Sequence, residues 1–161
     1  VCVKGDMVMQ GYYKEPEKTK EVFTEDGWFK TGDLATLDKD GFLFIKGRSK
    51  NVIVGSSGEN IYPEEIESVI NNFEFVLESL VVEEKGRLVA MVHLNMEELE
   101  AKYKNMKVEL DVILEEIKRD MLVYINSKVN KFSFIKGITI QKTPFEKTPT
   151  QKIKRYKYKN D

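Results

Sequence analysis

The stretch GFLFIKGRSKNVIVGSSGENIYPEEIE, from residue 41 to residue 67, contains the change of pattern that decides the fold. Its start is strand-like: residues 42–46 and 34–37 flank a turn at 38–41, and Asp-Gly tolerates the positive φ of a tight hairpin. From Arg48 the pattern changes to a short apolar strand, SKNVIV, and then to a small polar loop, GSSGEN. We therefore expect a β-hairpin, followed by a second strand and a loop.

A helix and a second hairpin are predicted after this loop. The segment YPEEIESVINN has Pro63 in its first turn, where a missing N–H costs little. Glu64 and Glu65 follow it, and acidic residues there stabilise a helix because they lie near the positive end of its dipole. The segment VLESLVVEEKGRLVAMVHL then predicts two strands that turn near Lys85 and Gly86.

The longest periodic run lies near the carboxyl end. Its apolar residues are spaced as on one face of an amphipathic helix: Leu110, Ile113, Ile117, Met121 and Tyr124. The segment FIKGITIQ predicts a last strand. From residue 50 the order is strand, helix, strand, strand, helix, strand, loop. This order is typical of an α+β fold, a small domain with a mixed sheet flanked by helices, and a β-rich segment precedes it here.

Length and composition limit the class of protein. At 161 residues, with 41% hydrophobic and 33% charged residues, the chain can form one domain, or one domain and a piece of another. The single Cys2 excludes an internal disulfide, and no apolar run approaches the roughly 20 residues of a transmembrane helix. We expect a cytoplasmic protein without a transmembrane segment, and peripheral membrane contact stays open. Because the chain opens on Val1 in the middle of a strand-like pattern, we interpret it as a fragment of a longer protein.

Positive charge is concentrated at one end of the chain. From Lys142 onward there are seven Lys or Arg against Glu146 and Asp161, a net charge of +5, whereas the whole chain carries −1. Three interpretations are open: a solvated tail, a surface that binds nucleic acid, and a catalytic loop that binds phosphate. Lys152 is the candidate for the third, because an ammonium group between a polyphosphate and a carboxylate would offset their repulsion.

Two other segments carry candidate ligand-binding residues. Asp33 could accept hydrogen bonds from ribose hydroxyls, or it simply ends a turn; Arg48 could pair with a ribose or phosphate oxygen. Gly55 and Gly58 would let a ligand approach the backbone, or they only connect a strand to a helix. The loop has neither the Walker spacing nor GxGxxG. His93 is the only histidine, and we predict no metal site.

The order and spacing of these motifs resemble a known family. GWFKTGD, then GFLFIKGRSKNVIVGSSGENIYPEEIE, then PFEKTPTQKIKR is similar to the carboxyl-terminal third of the adenylate-forming enzymes. These include acyl-CoA synthetases, peptide-synthetase adenylation domains and luciferases. The lead-in MVMQGYYKEPEKTKEVFTEDGWFKTGD extends the resemblance over essentially the whole chain. Within the superfamily, GSSGENIYPEEIE most resembles the long-chain fatty acyl-CoA synthetases.

The resemblance implies a role for five residues of this chain. Asp33 matches the aspartate that binds the ribose, and Arg48 matches the arginine on the ribose side of the nucleotide. Lys50 falls at the hinge between a large and a small domain. Gly58 lies in the loop on the CoA side, and Lys152 matches the lysine required for adenylation.

One position departs from the family pattern. The family usually has Gly before the adenylation lysine, and this chain has Gln151. A residue with a side chain restricts the backbone of a loop more than glycine does. The approach of the lysine to its substrate depends on how the chain accommodates this residue.

The resemblance also implies a reaction and a division into domains. The parent would be an ATP-dependent, AMP-forming fatty-acid–CoA ligase that uses Mg²⁺ and takes CoA as co-substrate. The Mg²⁺ ligand and the acyl tunnel would lie upstream of this chain, so that the fragment alone would be inactive. Residues 1–49 would end the large amino-terminal domain as a β-barrel remnant, and residues 50–161 would form the small mobile domain. The alternatives are an adenylation domain that loads a carrier protein and, outside the family, a basic module that binds nucleic acid.

Overall fold

A computed structural model of the chain describes residues 1–104 and 109–158 and divides into two units, Val1–Val52 and Ile53–Asp161. The first unit contains short antiparallel pairs: β1 (Cys2–Val3) with β2 (Phe29–Lys30), and β3 (Asp33–Leu37) with β4 (Leu43–Arg48). Helix α1 (Pro16–Val22) connects β1 and β2 and has proline in its first turn.

The predicted hairpin at residues 34–46 is confirmed. The Asp38 carboxylate accepts hydrogen bonds from the amides of Asp40 and Phe42, both at 2.9 Å, and Gly41 adopts φ +87°. These are the roles for which turns select Asp and Gly, since Asp binds nearby amides and Gly tolerates positive φ. The turn therefore follows from local chemistry.

The second unit contains a mixed three-stranded sheet covered by helices. Its elements in order are β5 (Ile53–Val54), β6 (Asn60–Ile61), α2 (Pro63–Ile70), β7 (Val76–Glu84), β8 (Arg87–Leu94), α3 (Met96–Tyr103), α4 (Leu110–Lys128) and β9 (Gly137–Gln141). Strands β7 and β8 form an antiparallel hairpin around Lys85 and Gly86, both at positive φ, and β9 joins β8 in parallel. The predicted α+β fold with a mixed sheet is confirmed.

Both faces of this sheet are covered. Val81 of β7 belongs to the main core, which α2, α3 and α4 close with Ile70, Leu99 and Met121. Its neighbours Leu80 and Val82 face the other way, because alternate residues of a strand point to opposite faces. They form a second buried cluster with residues of the carboxyl-terminal segment: Phe145, Ile153 and Tyr158. That basic segment is therefore packed onto the sheet.

Two details of the helices differ from the sequence predictions. The buried stripe of α4 is Ile113, Ile117, Met121 and Ile125, whereas Leu110 is 38% exposed and Tyr124 is half-buried. Residues four apart lie on the same face of a helix, so Ile125, and not Tyr124, continues the buried row after Met121. Helix α3 was not predicted, although Asn95 caps it by accepting from the Glu98 amide at 3.2 Å, and an N-x-x-E capping pattern would have revealed it. Within residues 1–104 and 109–158, each helix is too short or too polar to cross a bilayer.

Candidate functional site

Asp33 and Arg48 form a direct ion pair in the first unit. They are opposite each other in the register of β3 and β4, and Arg48 Nη1 lies 2.7 Å from Asp33 Oδ1. The Asp33 amide also donates to Thr31 Oγ1 at 3.1 Å. The hydrogen bond from Arg48 lowers the pKa of Asp33 below its ordinary value. The structure therefore places Asp33 and Arg48, which the sequence predicted as separate candidates, side by side. The pairing favours the ionised Asp33 carboxylate, which is a hydrogen-bond acceptor.

The turn before Asp33 requires a glycine. Gly32 adopts φ +76°, and a Cβ at this position would lie 3.6 Å from Arg48 Nη2. Its carbonyl accepts a hydrogen bond from the Ser49 amide at 2.9 Å, which links this turn to the end of β4. The carboxylate of Asp33 is thus held between two connected chain segments rather than on a free loop.

We expect Arg48→Met to raise the pKa of Asp33 toward the ordinary value of an aspartate. The substitution removes the donor that favours the ionised form, and carboxyl NMR titration of the chain measures the change directly. A depressed pKa in the folded state contributes stability above the unfolded pKa, and this contribution is lost as the pH falls through the depressed value. Lys39→Met, an exposed change in the hairpin turn, is the control. An unchanged Asp33 pKa in Arg48→Met would contradict the pairing.

Lys50, the expected hinge residue, is exposed and lies in a single 3₁₀ turn, Ser49–Asn51. The boundary between the two units falls two residues later, between Val52 and Ile53. A short turn with an exposed side chain can absorb a backbone rotation without disrupting a core. The hinge role itself stays a prediction.

The glycine-containing loop joins β5 to β6 and contains two glycines that serve different purposes. The Glu59 side chain covers Gly55, since a Cβ there would lie 1.9 Å from Glu59 Oε1 and would displace it. Gly58 has open space around it but adopts φ +85°, which side chains disfavour. The Gly58 amide donates to the Gly55 carbonyl at 2.9 Å, and the Gly55 amide donates to the Glu59 carbonyl at 2.8 Å. The loop is therefore a defined turn, with Gly58 at its exposed end.

A cavity of about 210 Å³ lies beside this loop, entirely within the second unit. Gly55, Ser56 and Glu59 line one part of it. Other lining residues combine positive charge with aromatic rings, namely Arg87, Lys131, Phe132, Phe134 and Lys136. Two carboxylates, those of Glu59 and Glu83, also line the cavity, so it presents aromatic rings together with charges of both signs.

Lys152 lies in a small hairpin, residues 147–153, that we call the lysine hairpin. Lys147 and Ile153 close it as an antiparallel bridge. The Thr148 amide donates to the Lys152 carbonyl at 2.8 Å, and the Lys152 amide donates to Thr148 Oγ1 at 3.2 Å. Gln151 sits at the turn with φ +61°. This conformation explains why glycine is usual there, since a side chain in the left-handed region costs roughly 1–2 kcal/mol.

The basic residues of the carboxyl-terminal segment differ sharply in their contacts. Lys147 pairs with Glu78, Arg155 pairs with Glu67, and two further lysines pair with Glu146: Lys154 at 3.8 Å and Lys157 at 2.7 Å. Lys152 and Lys142 are exposed, and among the residues that the structure describes no carboxylate pairs with either; only Lys152 lies in the lysine hairpin. Sequence patterns could not distinguish Lys152 from its neighbours, because the pairing carboxylates of Glu67 and Glu78 lie far away along the chain.

Glu67 is the functional candidate that the sequence analysis missed. It is buried in α2 with 8% of its surface exposed, and its Oε1 accepts a hydrogen bond from the Val81 amide at 2.7 Å. Its Oε2 accepts from Arg155. Burial raises the pKa of Glu67 above its ordinary value, an effect only partly offset by Arg155. The available sequence signal was a glutamate at a core-facing position of the predicted helix. Acidic residues are rarely buried unless they are paired.

The structure shows no metal-binding cluster in the part of the chain that it describes, where no three side chains of His, Cys, Asp or Glu are suitably grouped. The single histidine, His93, has its Nδ1 3.1 Å from the carbonyl of Gln141, which links the ends of β8 and β9. His93 therefore has a structural environment in the sheet.

Comparisons with known proteins identify relatives of this chain, although no protein-family model matches it. It is 33% identical to the long-chain-fatty-acid–CoA ligase FadD15 of Mycobacterium tuberculosis, over 96% of this chain and 28% of the relative. It is 48% identical to the medium-chain acyl-CoA ligase ACSF2 of Rattus norvegicus, over 51% of this chain and 13% of the relative. The chain thus spans less than a third of the length of these relatives.

A solved structure supports the same relationship. The O-succinylbenzoate coenzyme A synthetase MenE of Bacillus subtilis, determined in complex with ATP and magnesium ion, superposes with a TM-score of 0.73. The two are 28% identical over 96% of this chain and 29% of that one. The α+β architecture, the ordered motifs and these similarities agree, and the chain belongs to the adenylate-forming enzyme superfamily, in which it matches the carboxyl-terminal portion of acyl-CoA ligases.

Proposed function

We propose that this chain is the carboxyl-terminal part of an ATP-dependent acyl-CoA ligase that activates a long-chain fatty acid as acyl-AMP and then transfers the acyl group to CoA. The observation that carries the proposal is the state of Lys152. It is exposed and has no carboxylate partner among the described residues, while its hairpin is anchored by its neighbours. An unpaired cation on an ordered hairpin is what a reaction between two anions needs.

In the first half-reaction a fatty carboxylate oxygen attacks the α-phosphorus of ATP. A P–O bond forms to the carboxylate, the bond to the β-phosphate oxygen breaks, and pyrophosphate leaves with the electron pair. The two reactants repel each other, so the ammonium group of Lys152 stabilises their approach and the charge that develops in the transition state. Mg²⁺, which we assign to the upstream part of the parent enzyme, would supply further charge neutralisation on the phosphates.

Asp33 and Arg48 serve the nucleotide in this proposal. Arg48 holds the Asp33 carboxylate in its ionised form at 2.7 Å. An ionised carboxylate accepts hydrogen bonds from both hydroxyls of a ribose. Arg48 keeps further N–H donors for the ribose side of the nucleotide, because a guanidinium carries five.

In the second half-reaction the CoA thiol attacks the acyl-AMP carbonyl carbon. The C–S bond forms, the bond to the phosphate oxygen breaks, AMP leaves with the electron pair, and the thiol proton is released to solvent. The loop with Gly58 and the adjacent cavity, with its cationic and aromatic lining, support CoA as the acceptor. We assign residues 50–161 to a mobile domain that turns at Lys50, so that one site presents Lys152 in the first step and this loop in the second.

Two alternatives make different predictions. An adenylation domain that loads a carrier protein would share the first half-reaction and use another thiol in the second. A module that binds nucleic acid would need free positive charge, yet four of the six described cations of the basic segment are paired with carboxylates: Lys147, Lys154, Arg155 and Lys157. These ion pairs disfavour the nucleic-acid module, and the similarity to two named CoA ligases favours CoA over a carrier protein as the acceptor.

Product analysis of the full-length enzyme tests the proposal. With ATP, Mg²⁺, CoA and fatty acids of graded length, we expect AMP, pyrophosphate and acyl-CoA, with the highest kcat/KM for long chains. A carrier protein offered in place of CoA is the matched comparison. Formation of ADP, or acylation of the carrier but not of CoA, would contradict the proposal. We expect the 161-residue chain alone to be inactive in the same assay.

A further inference from the structure

We infer that the partly buried ion pair between Glu67 and Arg155 is a positioning device for Lys152, which holds the lysine hairpin in the orientation needed for acyl-AMP formation. This inference rests on the proposed function. It assigns a specific task in the first half-reaction to two residues that do not touch the substrates. Glu67 and Arg155 are therefore positioning residues, not catalytic ones.

One carboxylate joins three parts of the second unit. Glu67 belongs to α2, its Oε1 accepts from the Val81 amide of β7 at 2.7 Å, and its Oε2 accepts from Arg155 of the carboxyl-terminal segment. The Arg155 side chain is only 20% exposed, and a second carboxylate oxygen, Glu64 Oε1, lies 3.8 Å from its Nη2. The guanidinium is thus fixed by helix α2, which is itself part of the main core.

The position of Arg155 is transmitted to Lys152 over a very short distance. Between them lie Ile153 and Lys154, and Ile153 packs into the second cluster with Leu80, Val82 and Phe145. The Arg155 amide donates to the Ile153 carbonyl at 2.9 Å. The backbone of Arg155 is thus tied to Ile153, the residue next to Lys152, and the ion pair of Arg155 with Glu67 anchors this backbone to α2.

The other flank of the lysine hairpin is anchored in the same way. Lys147 pairs with Glu78 of β7, whose side chain is 19% exposed. The two ion pairs therefore attach Lys147, the first residue of the hairpin, to the sheet, and Arg155, two residues beyond its end, to α2. Lys152 lies between the anchors and is not itself paired with a described carboxylate.

The energetics favour a geometric role over a purely stabilising one. Burial raises the pKa of Glu67, which means that desolvation outweighs the attraction of Arg155. An apolar pair of similar volume at such a site is often as stable or more stable. A charged pair adds directional hydrogen bonds, and an error of about 1 Å in a catalytic group can cost roughly 100-fold in rate.

The test separates the two half-reactions in the full-length enzyme. Glu67→Gln keeps an acceptor for the Val81 amide but removes the charge that holds Arg155. We expect at least a tenfold lower rate of acyl-AMP formation at saturating ATP, and an unchanged rate of thioester formation from supplied acyl-AMP. Lys157→Gln removes the exposed pair with Glu146 in the same segment and is the matched control, with both rates unchanged.

A second readout does not depend on activity. In the 161-residue chain, we expect Glu67→Gln to accelerate amide hydrogen exchange about tenfold at Thr148, Gln151 and Lys152, whose amides are hydrogen-bonded within the hairpin. The Lys157→Gln control should leave this exchange unchanged. Two substitutions of Arg155 test the same ion pair. Arg155→Lys keeps a positive charge and should retain part of the rate of acyl-AMP formation that Arg155→Ala loses.

The outcomes distinguish this inference from the proposed function. If Lys152→Ala abolishes acyl-AMP formation while Glu67→Gln leaves both that rate and the hairpin exchange unchanged, the positioning inference is wrong and the ligase proposal stands. An equal loss of both half-reactions in Glu67→Gln also overturns it, since that is the result of general destabilisation. If Lys152→Ala spares acyl-AMP formation, the role proposed for that lysine is wrong, and the positioning inference, which depends on it, is wrong as well.

Discussion

Replacement of Lys152 by alanine in the full-length enzyme is expected to reduce acyl-AMP formation by about 10²–10³-fold while sparing thioester formation from supplied acyl-AMP. The first half-reaction joins two anions, and loss of one preorganised charge-stabilising group typically costs this much. The second half-reaction joins a thiol to an acyl-AMP that already exists, so it does not need the same cation. ATP–pyrophosphate exchange measures the first rate, and acyl-CoA formation from synthetic acyl-AMP measures the second.

The control for this prediction is a neighbouring lysine. Lys157 lies five residues away in the same basic segment and is paired with Glu146 at 2.7 Å. We expect Lys157→Ala to leave both half-reactions within about twofold of the parent enzyme, because an exposed ion pair contributes little. Comparable losses for Lys152→Ala and Lys157→Ala would mean that net charge, not one positioned ammonium group, supports the reaction.

Met121→Ala is expected to lower the free energy of unfolding of the second unit by about 3 kcal/mol. Met121 is fully buried in α4, at the centre of the row formed by Ile117 and Ile125. Truncation of a buried methionine removes apolar contacts and leaves a cavity, at a typical cost of roughly 2–5 kcal/mol. Urea denaturation of the chain, followed by far-UV circular dichroism, measures the difference.

The matched substitution lies on the opposite side of the same helix. Val123 is 68% exposed, and we expect Val123→Ala to change the free energy of unfolding by no more than about 0.5 kcal/mol. Equal effects at the two positions would refute the assignment of the buried face.

Most of the fold could be predicted from the sequence, because its elements are specified by neighbouring residues. The hairpin at Asp38–Gly41 and the turn at Lys85 and Gly86 follow from turn chemistry that acts within four residues. The mixed sheet follows from the order of strands and helices. The errors were local as well: the missed helix α3 had a readable cap at Asn95.

Less of the candidate site could be predicted from the sequence. Asp33, Arg48 and Lys152 were predicted individually, but their partners were not. The ion pair of Asp33 with Arg48 depends on strand register. The role of Glu67 depends on its burial and on Arg155, which is 88 residues away in the chain.

The sequence by itself determined where strands, turns and helices form and where the motifs of the family lie, because spacing and turn preference act between residues close in the chain. Only the tertiary structure decided which cations of the basic segment are paired with carboxylates and which, Lys142 and Lys152, have no described carboxylate partner. Lys147 and Arg155 are neutralised by carboxylates that the sheet and α2 bring beside them, and Lys152 is not. Charge pairing depends on distance in space, which the folded core sets and the order of residues does not.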